Sequence, residues 1–151
     1  MSELRRVEEQ LKRAFEGEAW HGPSVREVLA GITPEQAASH PIPAAHSIWE
    51  IVLHMTTWHE TVRRRLAGES FMPTEDQDWP LITEASSATW RAAQDDLTRS
   101  YRDVMGALVS LPEARLDEPL VKGGTTGYVQ IHGLVQHDLY HAGQIAILKK
   151  A

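Results

Sequence analysis

The chain has 151 residues, 42% of them hydrophobic and 24% charged, which suits one domain over residues 1–151 built on a single core. Its net charge is −6, and the basic runs Arg63-Arg64-Arg65 and Lys149-Lys150 read as solvated helix ends rather than a phosphate-binding surface, which argues against nucleic acid as a partner. The absence of Cys excludes disulfides, thiolate ligands and a cysteine nucleophile.

The first helix is expected from Ser2 to Gly17, where Leu4, Val7, Leu11 and Ala14/Phe15 recur at helical spacing, with Ser2 as cap and Gly17 as stop. A break from Glu18 to Ser24 is followed by a short helical piece, Val25 to Ala30, which Gly31 closes. Thr33-Pro34-Glu35-Gln36 then opens another turn, with Thr as cap, Pro in the first helical position and Gln completing a capping box. Pro41 and Pro43 keep the next stretch extended. Ser47-Ile48-Trp49-Glu50 is an S-x-x-E box that starts the second long helix, which runs through Ile51, Val52, His54, Met55, Trp58 and Val62 to Leu66-Ala67 and Gly68. Pro73, Trp79 and Pro80 mark a loop. The third long helix spans about Thr83 to Leu111, with Trp90, Leu97, Tyr101, Val104 and Leu108 as its buried stripe, and Pro112 stops it. Glu113 to Thr126 reads as loop. A fourth long helix covers Gly127 to Lys149, with Ile131, Leu134, His137, His141, Ile145 and Leu148 on one face.

Four long amphipathic segments without an alternating strand or an internal repeat point to an all-α, up-down four-helix bundle. The connection between the first two long helices, which contains the short helical turns, is too long for a hairpin and is expected to cross over and cap one end.

Of the eight His residues, His137 and His141 sit four apart on the fourth helix, so their imidazoles project side by side and have the spacing to chelate one first-row metal ion. Alone, an H-x-x-x-H pair is a weak signal. Its placement among Leu134, Ile145 and Leu148 strengthens it, because a buried imidazole costs free energy unless its nitrogens find partners. His54 occupies the same kind of position on the second long helix, within Ile51-Val52-Leu53-His54-Met55. Two readings stand on the pattern alone: the three rings share a metal, or each finds its own carbonyl, carboxylate or water. His59 is about 140° around the helix from His54, so both cannot face one ion. His132 is opposite His141 and belongs to the surface or rim. His46 precedes the second helix and is placed to overhang the site. His21 and His40 fall in connecting segments and read as solvated. Trp49, Trp58 and Trp90 read as core.

Ala44-Ala45-His46-Ser47-Ile48-Trp49-Glu50-Ile51-Val52-Leu53-His54 and His137-Asp138-Leu139-Tyr140-His141-Ala142-Gly143-Gln144-Ile145 resemble the DinB/YfiT-like metal-binding bundle family, and the likeness extends over most of the chain. That resemblance implies a four-helix bundle, often a homodimer, with one ligand His on the second long helix and an H-x-x-x-H pair on the fourth. Carried over, the ligands are His54, His137 and His141, and the cofactor is a divalent metal ion, zinc or nickel. Members with known activity include metal-dependent transferases and isomerases that use low-molecular-weight thiols, so the implied partner is a small-molecule substrate, with a thiol as cosubstrate.

Three functions follow. The first is a metal-dependent enzyme, a thiol S-transferase or hydrolase, with Asp138, Glu50, His46 or Tyr140 as options for a proton acceptor. The second is a metal-binding or stress-related bundle without turnover. The third is a structural dimerisation module. H-D-x-x-H is not the metalloprotease H-E-x-x-H, since Asp is shorter and the third His lies N-terminal to the pair. Imidazole ligation implies metal binding that weakens below about pH 6.5. With no signal-like apolar stretch at Met1 to Arg6 and no apolar run near membrane-spanning length, the expected setting is cytoplasmic and away from a membrane.

Overall fold

A computed structural model describes residues 1–151. Seven α-helices form, and each begins behind a Ser or Thr whose side-chain oxygen accepts the backbone N–H three residues on. They are α1 (Glu3–Glu16), α2 (Val25–Leu29), α3 (Pro34–Ala38), α4 (Ile48–Leu66), α5 (Glu75–Asp78), α6 (Ser87–Val109) and α7 (Gly127–Leu148), capped by Ser2, Ser24, Thr33, Ser47, Thr74, Ser86 and Thr126. A 3-10 turn, Glu113–Leu116, lies in the last connection. The α4 box is reciprocal: Glu50 N–H donates to Ser47 Oγ, and Ser47 N–H donates to Glu50 Oε2 at 2.7 Å. Ser47 is fully buried, so no water can replace its oxygen. Ser47→Ala should therefore cost about 1–2 kcal/mol, read from the midpoint of a urea titration.

α6 starts at Ser87 rather than Thr83, because Ser86 closes a capping box with Thr89 and leaves Thr83 to Ala85 outside the helix. α5 forms where a loop was expected. Its box, Thr74 with Gln77, is a local signal too short to stand out against Pro73 and Pro80.

α4 packs against α6 and α7, and α1 packs against the same two, so the four long helices stand in the cyclic order α1–α6–α4–α7. Trp49 meets Trp90 at 5.1 Å between ring centroids, and His59 meets Ser100 at 3.2 Å. Ten residues along α4 thus match ten along α6, and the two helices are parallel. α7 runs the other way: His54 faces His137, and further along α4 Arg65 reaches Gln130. The up-down expectation is corrected here. Consecutive long helices α4 and α6 are parallel because the chain between them travels back along α4. Arg65 Nε donates to the Phe71 carbonyl (2.9 Å), Thr57 Oγ1 to the Gln77 carbonyl (2.8 Å), and Trp58 Nε1 to Asp78 Oδ1 (2.7 Å). This return strap carries Asp78 and Trp79 to the N-terminal half of α4.

The first connection caps one end, as expected. Lys149 Nζ at the end of α7 donates to the Val28 and Ala30 carbonyls, and Trp90 Nε1 donates to the Ile32 carbonyl. Between the long helices lies a core that includes Leu11, Phe15, Val52, Met55, Leu97, Leu108, Ile131 and Ile145, each with 2% exposure or less. At the start of α7, a Cβ on Gly127 would stand 2.6 Å from the Arg115 carbonyl oxygen, so only glycine lets the last connection close against the helix. No helix is long and apolar enough to cross a membrane.

Candidate metal centre

His54 comes from α4, and His137 and His141 from one face of the antiparallel α7. Their ring nitrogens lie within 4.8 Å of one another. His54 Nε2 and His137 Nε2 are 3.1 Å apart. Two nitrogens bound to one ion at about 2.0–2.1 Å, with an angle of about 90–110°, stand about 2.9–3.4 Å apart, so this pair already has a chelating separation. Drawing a pair at the 4.8 Å limit onto the same ion takes a closure of about 1.4–1.9 Å, within reach of side-chain torsions.

The rings are aimed from behind. His54 Nδ1–H donates to the Asp78 carbonyl oxygen (2.9 Å) and lies 3.0 Å from Asp78 Oδ1, which leaves the lone pair on Nε2. His141 Nδ1–H donates to Gln144 Oε1 at 2.6 Å, with the same consequence. His137 Nδ1 is buried without a hydrogen-bond partner and faces Asp138 Oδ1 across 3.9 Å. Burial lowers the pKa of His54, although the Asp78 carbonyl pulls the other way. Burial lowers that of His141 to about 4, assisted by the neighbouring His137. Both rings are therefore neutral at pH 7, the form that coordinates a metal. No carboxylate joins the three nitrogens, so the donor set is all imidazole and suits a borderline ion such as zinc or nickel.

The model of the DinB superfamily matches residues 19–145. This chain belongs to the DinB superfamily. A solved structure described as the conserved protein of locus from Enterococcus faecalis has the same fold, with a TM-score of 0.73 over 99% of this chain and 96% of that one, at 18% identity. No curated protein matches the chain.

In this DinB-superfamily bundle, Trp79 lies flat between two histidines. Its ring is 3.9 Å from His54 and 3.6 Å from His46, and both pairs are within 6° of parallel. This stack holds His54 from one side and places His46 at the rim, where it was expected. A cavity of about 420 Å³ opens there, lined by Ile42, His46, Ile51, Trp79, Tyr140 and His141 among others and mostly apolar. A second cavity, about 250 Å³, opens on the His137 side beside Trp58 and Arg65.

Asp138 does not face the ion site, and its proposed use as a proton acceptor is corrected. It is fully buried and accepts from His59 Nε2–H through both oxygens, at 2.9 and 3.1 Å. Burial alone would raise its pKa, but the charge of His59 and the contacts from His137 and His59 outweigh this and hold it below the usual carboxylate range. Glu50 is likewise occupied. It is held by the Ser47 N–H and His40 Nε2 (3.1 Å), with His46 Nδ1 at 3.5 Å, and its pKa is lowered: burial would raise it, but the Ser47 and His40 contacts outweigh that. His40 is thus paired rather than simply solvated. His46 and Tyr140 are the proton-carrying options that line a cavity.

His59 points away from His54, as its angle on α4 requires. His132 is half-buried, with its ring 4.3 Å from Tyr128. Trp49 and Trp90 are core, but Trp58 is only partly buried and lines the smaller cavity, a correction that follows from its N–H reaching Asp78 on the strap. Asp78 and Trp79 carry no periodic signal and become visible only once the strap is folded. Gln144 was within reach of helical spacing, three residues after His141 on α7.

Proposed function

We propose that this chain is a metal-dependent enzyme of the thiol S-transferase or hydrolase type, its divalent ion held by His54, His137 and His141. The observation that carries the proposal is three ring nitrogens converging within 4.8 Å, with two of the rings aimed by Asp78 and Gln144, beside cavities large enough for a small molecule. A zinc or nickel ion bound by three imidazoles keeps open positions and lowers the pKa of a bound thiol or water toward neutrality. Around that point the protein's own groups divide the work. Asp78 and Gln144 fix the tautomers of His54 and His141. Trp79 and Ile51 shield one side from water, and the small molecule packs against the apolar wall. His46, at the rim and stacked on Trp79, is placed to take or return a proton at an imidazole nitrogen. The homodimer and the low-molecular-weight thiol implied by the resemblance, and the cytoplasmic setting expected from the sequence, belong to the same proposal.

Protein purified without an affinity tag should contain close to one zinc or nickel per chain by elemental analysis. His54→Ala should lose it, while Gln144→Ala, which removes the side-chain acceptor that orients His141, should weaken it by about 10–100-fold. A metal-free wild type of equal stability would overturn the metal reading. Loaded protein should then turn over within a panel of electrophiles supplied with small thiols. Full occupancy with no turnover across the panel would favour the non-catalytic alternative, a metal-binding or stress-related bundle.

A further inference from the structure

The run Arg63-Arg64-Arg65 reads as a solvated helix end, yet all three side chains are half-buried. Arg63 pairs with Glu60 and Arg64 with Glu69. Arg65 is different. It is half-buried, and no carboxylate stands within ion-pair distance of it, whereas the other arginines without such a partner, Arg26, Arg91 and Arg102, are exposed. Burial lowers its pKa, and no neighbouring charge restores it.

Its position is set by the helix. Eleven residues separate it from His54, three turns along α4, so the two side chains leave the same face. The guanidinium is anchored by neutral groups: Nε donates to the Phe71 carbonyl (2.9 Å), Nη1 to Gln130 Oε1 (3.2 Å), and Nη2 contacts Met72 Sδ (3.4 Å). Arginine carries five N–H donors, so two are left over, the number a carboxylate's two oxygens accept. The Trp58 ring lies between this cation and the imidazoles, 5.8 Å from Arg65 Cζ and 6.1 Å from the His137 ring. The cavity of about 250 Å³ is lined by Trp58, Arg65 and His137, and Gly133 opens its α7 wall. A Cβ on Gly133 would meet nothing within 4 Å, so a larger side chain can be built at this edge of the cavity.

We propose that Arg65, in the cavity it shares with Trp58 and His137, forms a subsite for the carboxylate of a small organic acid. A single, half-buried positive charge matches a monoanion. No second Lys or Arg lines the cavity, as a phosphate dianion would call for. Bound there, the acid's carboxylate is held on the Arg65 side while its remainder lies toward His137. A role for this acid as substrate or cosubstrate rests on the metal-dependent reading above, but the anion site itself does not.

The test is calorimetric titration of metal-free protein with benzoate, its neutral isostere benzamide, and inorganic phosphate. Benzoate should bind at least about tenfold more tightly than benzamide and more tightly than phosphate. Arg65→Gln should erase the benzoate preference and Arg65→Lys should retain only part of it. Gly133→Leu should block both aromatic probes without loss of folding stability, since it fills open space and favours helix. If Arg65 served only to hold Phe71 and the strap, Arg65→Gln would lower the unfolding midpoint and leave the benzoate-to-benzamide ratio unchanged, which would overturn the proposal. Equal binding of the two aromatic probes, or tighter binding of phosphate, would overturn it as well. Benzoate selectivity that persists in a protein unable to hold zinc would keep the anion site and remove only the metal reading.

Discussion

Asp138→Ala is expected to destabilise the fold by about 3–5 kcal/mol, a large fraction of the roughly 5–15 kcal/mol that holds a domain of this size together. Asp138 and His59 are both without solvent exposure and share two contacts at 2.9 and 3.1 Å. The other ring nitrogen of His59 lies 3.2 Å from Ser100 Oγ, whose hydroxyl donates to the Leu97 carbonyl, so the pair links α4, α6 and α7 at one level of the bundle. Removing the carboxylate leaves His59 facing an apolar void against Phe15 and Tyr101, with no water to replace the lost acceptor. In thermal unfolding, the loss should appear as a fall of about 6–20 °C. Asp138→Asn, which keeps the volume and one acceptor, should cost less. The double replacement His59→Leu with Asp138→Leu should recover part of the loss, because an apolar pair no longer leaves a stranded polar group. A fall below about 1 kcal/mol in the alanine variant would mean the pair is hydrated or replaceable, contrary to its burial.

This pair also shows what the chain alone did and did not reveal. The four long helices were readable because each has a Ser or Thr cap followed by an apolar stripe. The three imidazoles were readable because H-x-x-x-H fixes two of them on one helical face, and His54 falls within an apolar run. The buried face of α7, however, includes Asp138 beside Ile131, Leu134, Val135, His141, Ala142, Ile145 and Leu148, with His137 at its edge. Asp138 sits in the centre of that face, where an unpaired carboxylate would be untenable, and His59 sits equally deep on α4. Two partnerless polar groups on facing stripes call for each other. The local H-D-x-x-H pattern drew attention instead to Asp138 as a group beside the metal.

What sequence could not supply depends on long-range topology. The parallel arrangement of α4 and α6 comes from a strap with almost no periodicity, tied by single contacts such as Thr57 to the Gln77 carbonyl and Arg65 to the Phe71 carbonyl. That strap delivers Asp78 behind His54 and Trp79 over it. Helical spacing says nothing about which loop residue will land there. It does say that Arg65 shares a face with His54, and the lack of a carboxylate partner separates that side chain from the two paired arginines before it.

Acidifying metal-free protein from pH 6.5 toward 4 is expected to destabilise it progressively. The unfolded chain protonates its imidazoles near 6.5, whereas folded His141 does so only near 4, and folded His54 also lies below its ordinary value. Within that window the unfolded state binds more protons, so stability is full above about 6.5 and falls as the pH drops. For His141 the loss is at most about 3 kcal/mol, reduced by whatever solvent reaches the ring. Asp138, Glu50 and Glu60 also have lowered pKa values, and their contributions begin to fall below about pH 5 as the unfolded carboxylates protonate, so the histidine effect is read between about pH 6.5 and 5. Urea midpoints measured across this range should slope for the wild type and flatten for His141→Phe. The same shifts revise the acid limit of metal binding, because protons compete poorly for rings whose pKa is depressed. Zinc at about 100 times its dissociation constant should add about 2.7 kcal/mol at pH 7 and keep much of that below pH 6.5, with its loss centred at a lower pH. A zinc effect that vanished as soon as ordinary solvent-exposed imidazoles titrate would place the ion elsewhere, on exposed histidines rather than in the cleft between α4 and α7.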